Sequence, residues 1–232
     1  MPAVSRLTPR LPRSEPRPAA PRPDAVVSRE WTPYDRYVAL FPEGMKGDLI
    51  NGEAVIDMSI TVVHEQIVGF LIQLLGLFVQ DRNLGIVLGS RTTMKVDDEN
   101  GYEPDVLFIR ADRLGILDVK DAKQAVDVAV EVISPTSGKR DRETKFEGYQ
   151  RIGVPEYWLI DPIRRSATFF RLDAEGRYRA VPLADGVFES ETVPGFRLDP
   201  EALFADPMPP VLPLLLALLA DGAPEAPAED AA

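Results

Sequence analysis

The sequence predicts an α/β fold, more closely an α+β arrangement of a mixed β-sheet with flanking helices. Three observations predict it. Thr61–Arg82 carries Ile67, Val68, Leu71, Leu74, Leu75 and Phe78 at helical spacing. Val126–Ile133 is so apolar that it reads as a strand covered on both faces. The candidate elements then run hairpin, helix, strands, helix, strands, an order that packs helices on a mixed sheet.

In chain order, Asp48–Ile56 reads as a hairpin, with Asn51-Gly52 as its two-residue turn. The helix over Thr61–Arg82 follows, then a strand over Ile86–Val96 and a turn at Asp97–Gly101. Pro104–Arg110 and Val126–Ile133 are short strands dense in β-branched residues. A helix over Asp141–Ile152 ends at Gly153. Glu156–Ile160, Ala167–Leu172 and Tyr178–Pro182 complete the strands.

The 232 residues, 45% of them hydrophobic, suffice for one domain with tails. Residues 1–30 hold seven prolines and six arginines and read as a disordered arm of charge +3. The domain is placed at 31–206. Residues 207–232, with six prolines, four acids and no basic residue, read as a tail holding one short apolar helix at Leu214–Leu219. Cysteine is absent, which excludes disulfides and thiolate metal sites. No apolar leader and no bilayer-spanning stretch is expected, so the reading is of a cytoplasmic chain without a membrane partner. The net charge of −11 argues against a passive nucleic-acid binder, which would show a basic face.

The chemistry is carried by acids in apolar strands. Along Val126–Ile133 side chains alternate, so Asp127, Ala129, Glu131 and Ile133 share a face. Asp105 likewise shares a face with Leu107 and Ile109. A carboxylate buried there needs a partner, a proton or a metal. Two such acids near the ends of neighbouring strands suit Mg²⁺ or Mn²⁺, which take oxygen ligands. The competing reading is that each acid caps a loop or pairs with an arginine. Asp141, Lys145 and Tyr149 fall at i, i+4 and i+8, one helical stripe able to aim a cation at the carboxylates. An ordinary Asp–Lys pair on a solvated helix would look the same. The only histidine, His64, lies one turn before Ile67, either as a hydrogen-bonded core residue or at the rim of the site.

Six segments in order resemble the Uma-two family of restriction-endonuclease-like proteins, within the PD-(D/E)XK nuclease superfamily. They are Gly47–Glu53, His64, Glu103–Asp105, Val130–Pro135, Asp141–Lys145 with Tyr149, and Gly153–Pro162. The resemblance implies a restriction-endonuclease-like core and a metal-dependent endonuclease acting on nucleic acid, with DNA as the expected substrate. It makes Asp105 and Glu131 the metal ligands. Position 133, where the family pattern would put a lysine, is isoleucine, so Lys145 would supply that cation from the helix. His64 joins Asp105, Glu131 and Lys145 as a catalytic candidate, and Asp48, Glu53, Asp141 and Tyr149 are candidate lining residues. A homodimer is expected from the same resemblance. The alternatives are an inactive nuclease-fold binding or accessory protein, or an unrelated metal hydrolase acting on a small phosphoester.

Overall fold

A computed structural model describes residues 32–41, 46–56 and 60–221. The disorder expected of residues 1–30 and of the last residues lies outside them. Helix α1 (Pro33–Leu40) opens the described chain and went unread in the sequence, although its signal is there. Thr32 caps the backbone N–H of Asp35, the Asp35 carboxylate accepts from Thr32 N–H, and Pro33 stands at the first helical position. The hairpin forms as expected, β1 (Gly47–Ile50) with β2 (Glu53–Ile56). Asn51 and Gly52 both take the left-handed φ, 49° and 80°, that the tight turn requires.

Helix α2 (Val62–Asp81), capped by Thr61, buries nine residues. It is long and apolar enough to cross a bilayer by length and composition, contrary to the expectation above. In the fold that stripe packs on a sheet, which explains its apolarity without a membrane.

The strand expected over Ile86–Val96 is two strands, β3 (Gly85–Gly89) and β4 (Thr93–Lys95). Arg91 between them takes a φ of 89°, and the chain turns there from one sheet into another. Next come β5 (Gly101–Tyr102), β6 (Val106–Arg110), β7 (Asp121–Ala122) and β8 (Val128–Val132). The second predicted helix begins as a π-helical turn, Arg140–Lys145, and continues as α3 (Phe146–Ile152). It stops at Gly153, whose φ of 82° forms the left-handed cap. Strands β9 (Glu156–Asp161), β10 (Ser166–Leu172) and β11 (Tyr178–Ala180) follow.

Two sheets result. The larger has the order β11-β10-β9-β8-β6-β3, with β8 antiparallel to β6 and parallel to β9. The smaller has the order β2-β1-β5-β4-β7. Along the central strands, Val106, Phe108, Val128, Val130 and Val132 face α2, while Leu107, Ile109, Ala129 and Ile133 belong to the core that holds Tyr149 of α3. The expected tail from 207 starts inside the domain. Its apolar run forms α4 (Val211–Asp221), which buries Leu215 in the α2 core because a helix this apolar must cover one side.

Candidate active site

Backbone pairing alone brings two acids together. Val106 pairs with Val130, so Asp105 stands one residue before that pair on its strand and Glu131 one residue after. By alternation each shares a face with residues of the α3 core, Leu107 and Ile109 for Asp105, Ala129 and Ile133 for Glu131. Asp105 is held tightly. Its N–H donates to the Val130 carbonyl at 2.9 Å, and its Oδ2 accepts the Val132 N–H at 2.8 Å.

The π-helical turn and α3 supply the groups above Glu131. Lys145 Nζ and the Tyr149 hydroxyl both donate to Glu131 Oε1, at 2.8 and 2.6 Å. Gly148 lets α3 approach, since a Cβ there would meet the Tyr102 ring at 2.4 Å. The wide turn also carries Asp141 inward. Its Oδ2 accepts from Ser137, while its Oδ1 is buried, accepts no hydrogen bond and lies 4.0 Å from Lys145 Nζ.

The small sheet closes the other side. Asp48 on β1 accepts the Glu103 N–H at 2.9 Å and lies 3.1 Å from Lys145 Nζ. Its other oxygen is 3.1 Å from Arg140 Nε. Glu103 accepts from Gly47 N–H and Thr93 Oγ1, both at 3.1 Å. Lys46 forms an ion pair with Asp105 Oδ1. His64 Nε2 is 3.3 Å from the same oxygen. Helix α2 covers the opposite face of the sheet, so His64 reaches Asp105 from the first turn of the helix, past the end of the strand.

Of the expected residues, Asp105, Glu131, Lys145, His64, Asp48, Asp141 and Tyr149 are buried in one network. Glu53 is not in it; it lies exposed at the hairpin end, opposite Ile50. Three members were not singled out from sequence. Glu103 lay in a segment quoted for its aspartate, and Arg140 neighbours Asp141. Lys46 carried no signal, because only the three-dimensional path lays it on Asp105.

Electrostatics separate the two acids. Burial works to raise Asp105, but Lys46 and His64 overcome it and hold the carboxyl far below the usual range. Glu131 goes the other way: burial pushes it up, Lys145 opposes, and Asp141 and Asp105 add to the rise. Lys145 stays protonated, since Asp48, Glu131 and Asp141 outweigh its own burial.

Among the described residues no three His, Cys, Asp or Glu side chains are arranged to hold a metal ion. The donor chemistry nevertheless fits a hard divalent cation. Five carboxyls (Asp48, Glu103, Asp105, Glu131, Asp141) meet three basic side chains (Lys46, Arg140, Lys145), so acids outnumber bases in the network and one carboxyl oxygen is orphaned. Two carboxylates with waters suffice for Mg²⁺.

No curated protein matches the chain. The structure of a putative nuclease belonging to DUF820 from Anabaena variabilis ATCC 29413 is similar, with a TM-score of 0.62 over 75% of this chain and 97% of that one. At 15% identity the likeness shows a shared fold, a restriction-endonuclease-like core of mixed sheet and flanking helices. The model of the Uma2 family, described as "Putative restriction endonuclease", matches residues 31–201, which include every member of the buried network. The chain therefore belongs to the Uma2 family.

Proposed function

We propose that this protein is a divalent-metal-dependent endonuclease that hydrolyses phosphodiester bonds of DNA in the cytoplasm. The observation that carries the reading is the convergence of Asp105 and Glu131 on one face, with Lys145 donating to Glu131. Mg²⁺ or Mn²⁺ held by the two carboxylates would supply Lewis acidity and a water of lowered pKa. The protein's own groups do the rest. Val132 N–H and the Val130 carbonyl fix Asp105 through Oδ2 and its backbone N–H, which leaves Oδ1, now held by Lys46 and His64, as the oxygen a metal would take. Lys145, pinned between Glu131 and Asp48, presents positive charge where the phosphoryl oxygens gain negative charge. Tyr149 fixes the rotamer of Glu131. His64 and Lys46, both on Asp105, can turn their donors to a substrate phosphate.

A second reading is favoured by one observation: lysines already satisfy both acids, as they would in a nuclease-fold binding or accessory protein that needs no metal. Cleavage of plasmid DNA separates the two. The endonuclease reading expects cutting with Mg²⁺ or Mn²⁺, none with EDTA, and none by Asp105→Ala under either condition. A chain that binds DNA but never cuts it is the accessory protein. One that cleaves a chromogenic phosphodiester but never DNA acts on a small phosphoester. A homodimer is also proposed, resting on the resemblance and on Leu212 and Leu216, which α4 leaves exposed. Light scattering that gives a monomer at micromolar concentration removes it.

A further inference from the structure

We infer that the phosphate backbone of the nucleic acid runs over a basic rim made by Lys139, Arg142, Arg164 and Arg165, beside the buried carboxylates. The inference rests on the nuclease reading and adds where the substrate lies. Strands β8 and β9 are parallel, with Glu131 opposite Leu159, so the loops that follow them leave from the same end of the sheet. That end is the one where Glu131 sits. The loop after β8 leads into the π-helical turn, which carries Lys139 at its start and Arg142 one turn before Lys145. The turn after β9 carries Arg164 and Arg165.

Asp161 ties the two segments together. Arg142 forms an ion pair with its Oδ2, and Arg164 Nη1 lies 3.4 Å from the same oxygen. The other oxygen accepts the N–H groups of Ile163 and Arg164, both at 3.0 Å, which shapes the turn. Two guanidinium groups thus share one carboxylate, and a positive charge is left over. Arg165 lies with its guanidinium 5.9 Å from the centre of the Phe204 ring, and Lys139 is exposed, 3.9 Å from the exposed Glu143. Four cations against Asp161 and Glu143 leave a surplus of +2 in a chain of net charge −11. In a chain this acidic a local surplus of positive charge beside the site marks where a phosphate backbone can approach the carboxylates. It also answers the charge objection raised by the sequence, because the basic surface is local.

The test uses the full chain with Lys139, Arg164 and Arg165 all changed to Ala, none of which touches the buried network. Binding of a fluorescent DNA duplex and an RNA duplex of the same sequence is measured in Ca²⁺ between about 50 and about 200 mM salt. The slope of log affinity against log salt should fall in magnitude by about 2–3, near 0.9 for each lost phosphate contact. The variant with Arg164→Lys and Arg165→Lys should keep the wild-type slope, and the alanine variant should still hydrolyse a small chromogenic phosphodiester at the wild-type rate. The RNA duplex shows which backbone is preferred; a loss of slope on either supports the rim. If the wild type binds and cuts DNA but the alanine variant keeps its slope, the rim is wrong and the nuclease reading stands. If the wild type binds neither duplex, both fall.

Discussion

Lys145 is the group whose removal the structure makes most costly. Its ammonium lies 2.8 Å from Glu131, 3.1 Å from Asp48 and 4.0 Å from Asp141, all buried. Lys145→Met keeps the apolar stem and deletes the charge, so three carboxyls lose their shared cation. Removing one partner of a buried ion pair costs about 3–5 kcal/mol, out of the roughly 5–15 kcal/mol that holds a domain folded. At about 2–4 °C per kcal/mol for a domain of this size, the melting temperature should drop by about 6–20 °C. The assay is thermal and urea unfolding in EDTA. Glu131→Gln added to Lys145→Met removes the stranded charge and should recover about half the loss. The loss should also shrink as pH falls. Burial raises Glu131, so in the variant the fold takes up a proton that the unfolded chain, near its ordinary value of about 4.3, releases. Stability of the variant therefore declines as pH rises from that value through the raised one. A drop under about 2 °C at neutral pH, with no gain from Glu131→Gln, would refute the argument and mean that Glu131 is already protonated beside Lys145.

Other outcomes follow from single contacts. His64→Ala should slow DNA cleavage by about 10²–10⁴-fold in the fraction that stays folded; a folded fraction that cuts at the wild-type rate makes His64 a core residue. Burial works to lower the His64 imidazole, but Asp105 and Glu65 raise it overall, so its ion pair should stabilise fully below about pH 6.5 and fade as pH rises through the raised value. Melting of wild type against His64→Gln across that window checks the sign. Tyr149→Phe leaves Glu131 without a 2.6 Å donor and should cost about 1.5–3 kcal/mol in urea unfolding. Gly148→Ala drives a methyl into Tyr102 and should cost about 1–3 kcal/mol in urea unfolding; because the Tyr149 ring packs on the same Tyr102 ring, the cost should change when Tyr149→Phe is already present.

Much of the site was legible because strand alternation is a local rule. An acid in an apolar strand announces itself, and Asp105 and Glu131 needed only the pairing of Val106 with Val130 to meet. Lys145 and Tyr149 were legible as a helical stripe. The exact winding was not: Arg140–Lys145 forms a π turn where the spacing predicts an α-helix. Glu53 misled for a related reason. It shares the hairpin with Asp48, but pairing opposite Ile50 leaves it at the solvent end. Lys46 was invisible, since an isolated lysine outside any periodic element acquires meaning only from what the fold lays beside it. The break at Arg91, which splits one apparent strand between two sheets, likewise depends on a left-handed residue that no propensity favours.

The central place of β8 has a kinetic consequence. Its neighbours are β6, earlier in the chain, and β9, which returns only after the π turn and α3. Glu131 therefore gains neither flanking strand from a tight turn, and each pairing must first close a longer loop. Chains dominated by such non-local pairing reach the native state slowly. On refolding from urea, helical signal should return before Lys145 and Tyr149 can close over Glu131, leaving a transient species with secondary structure and no competent carboxylate pair.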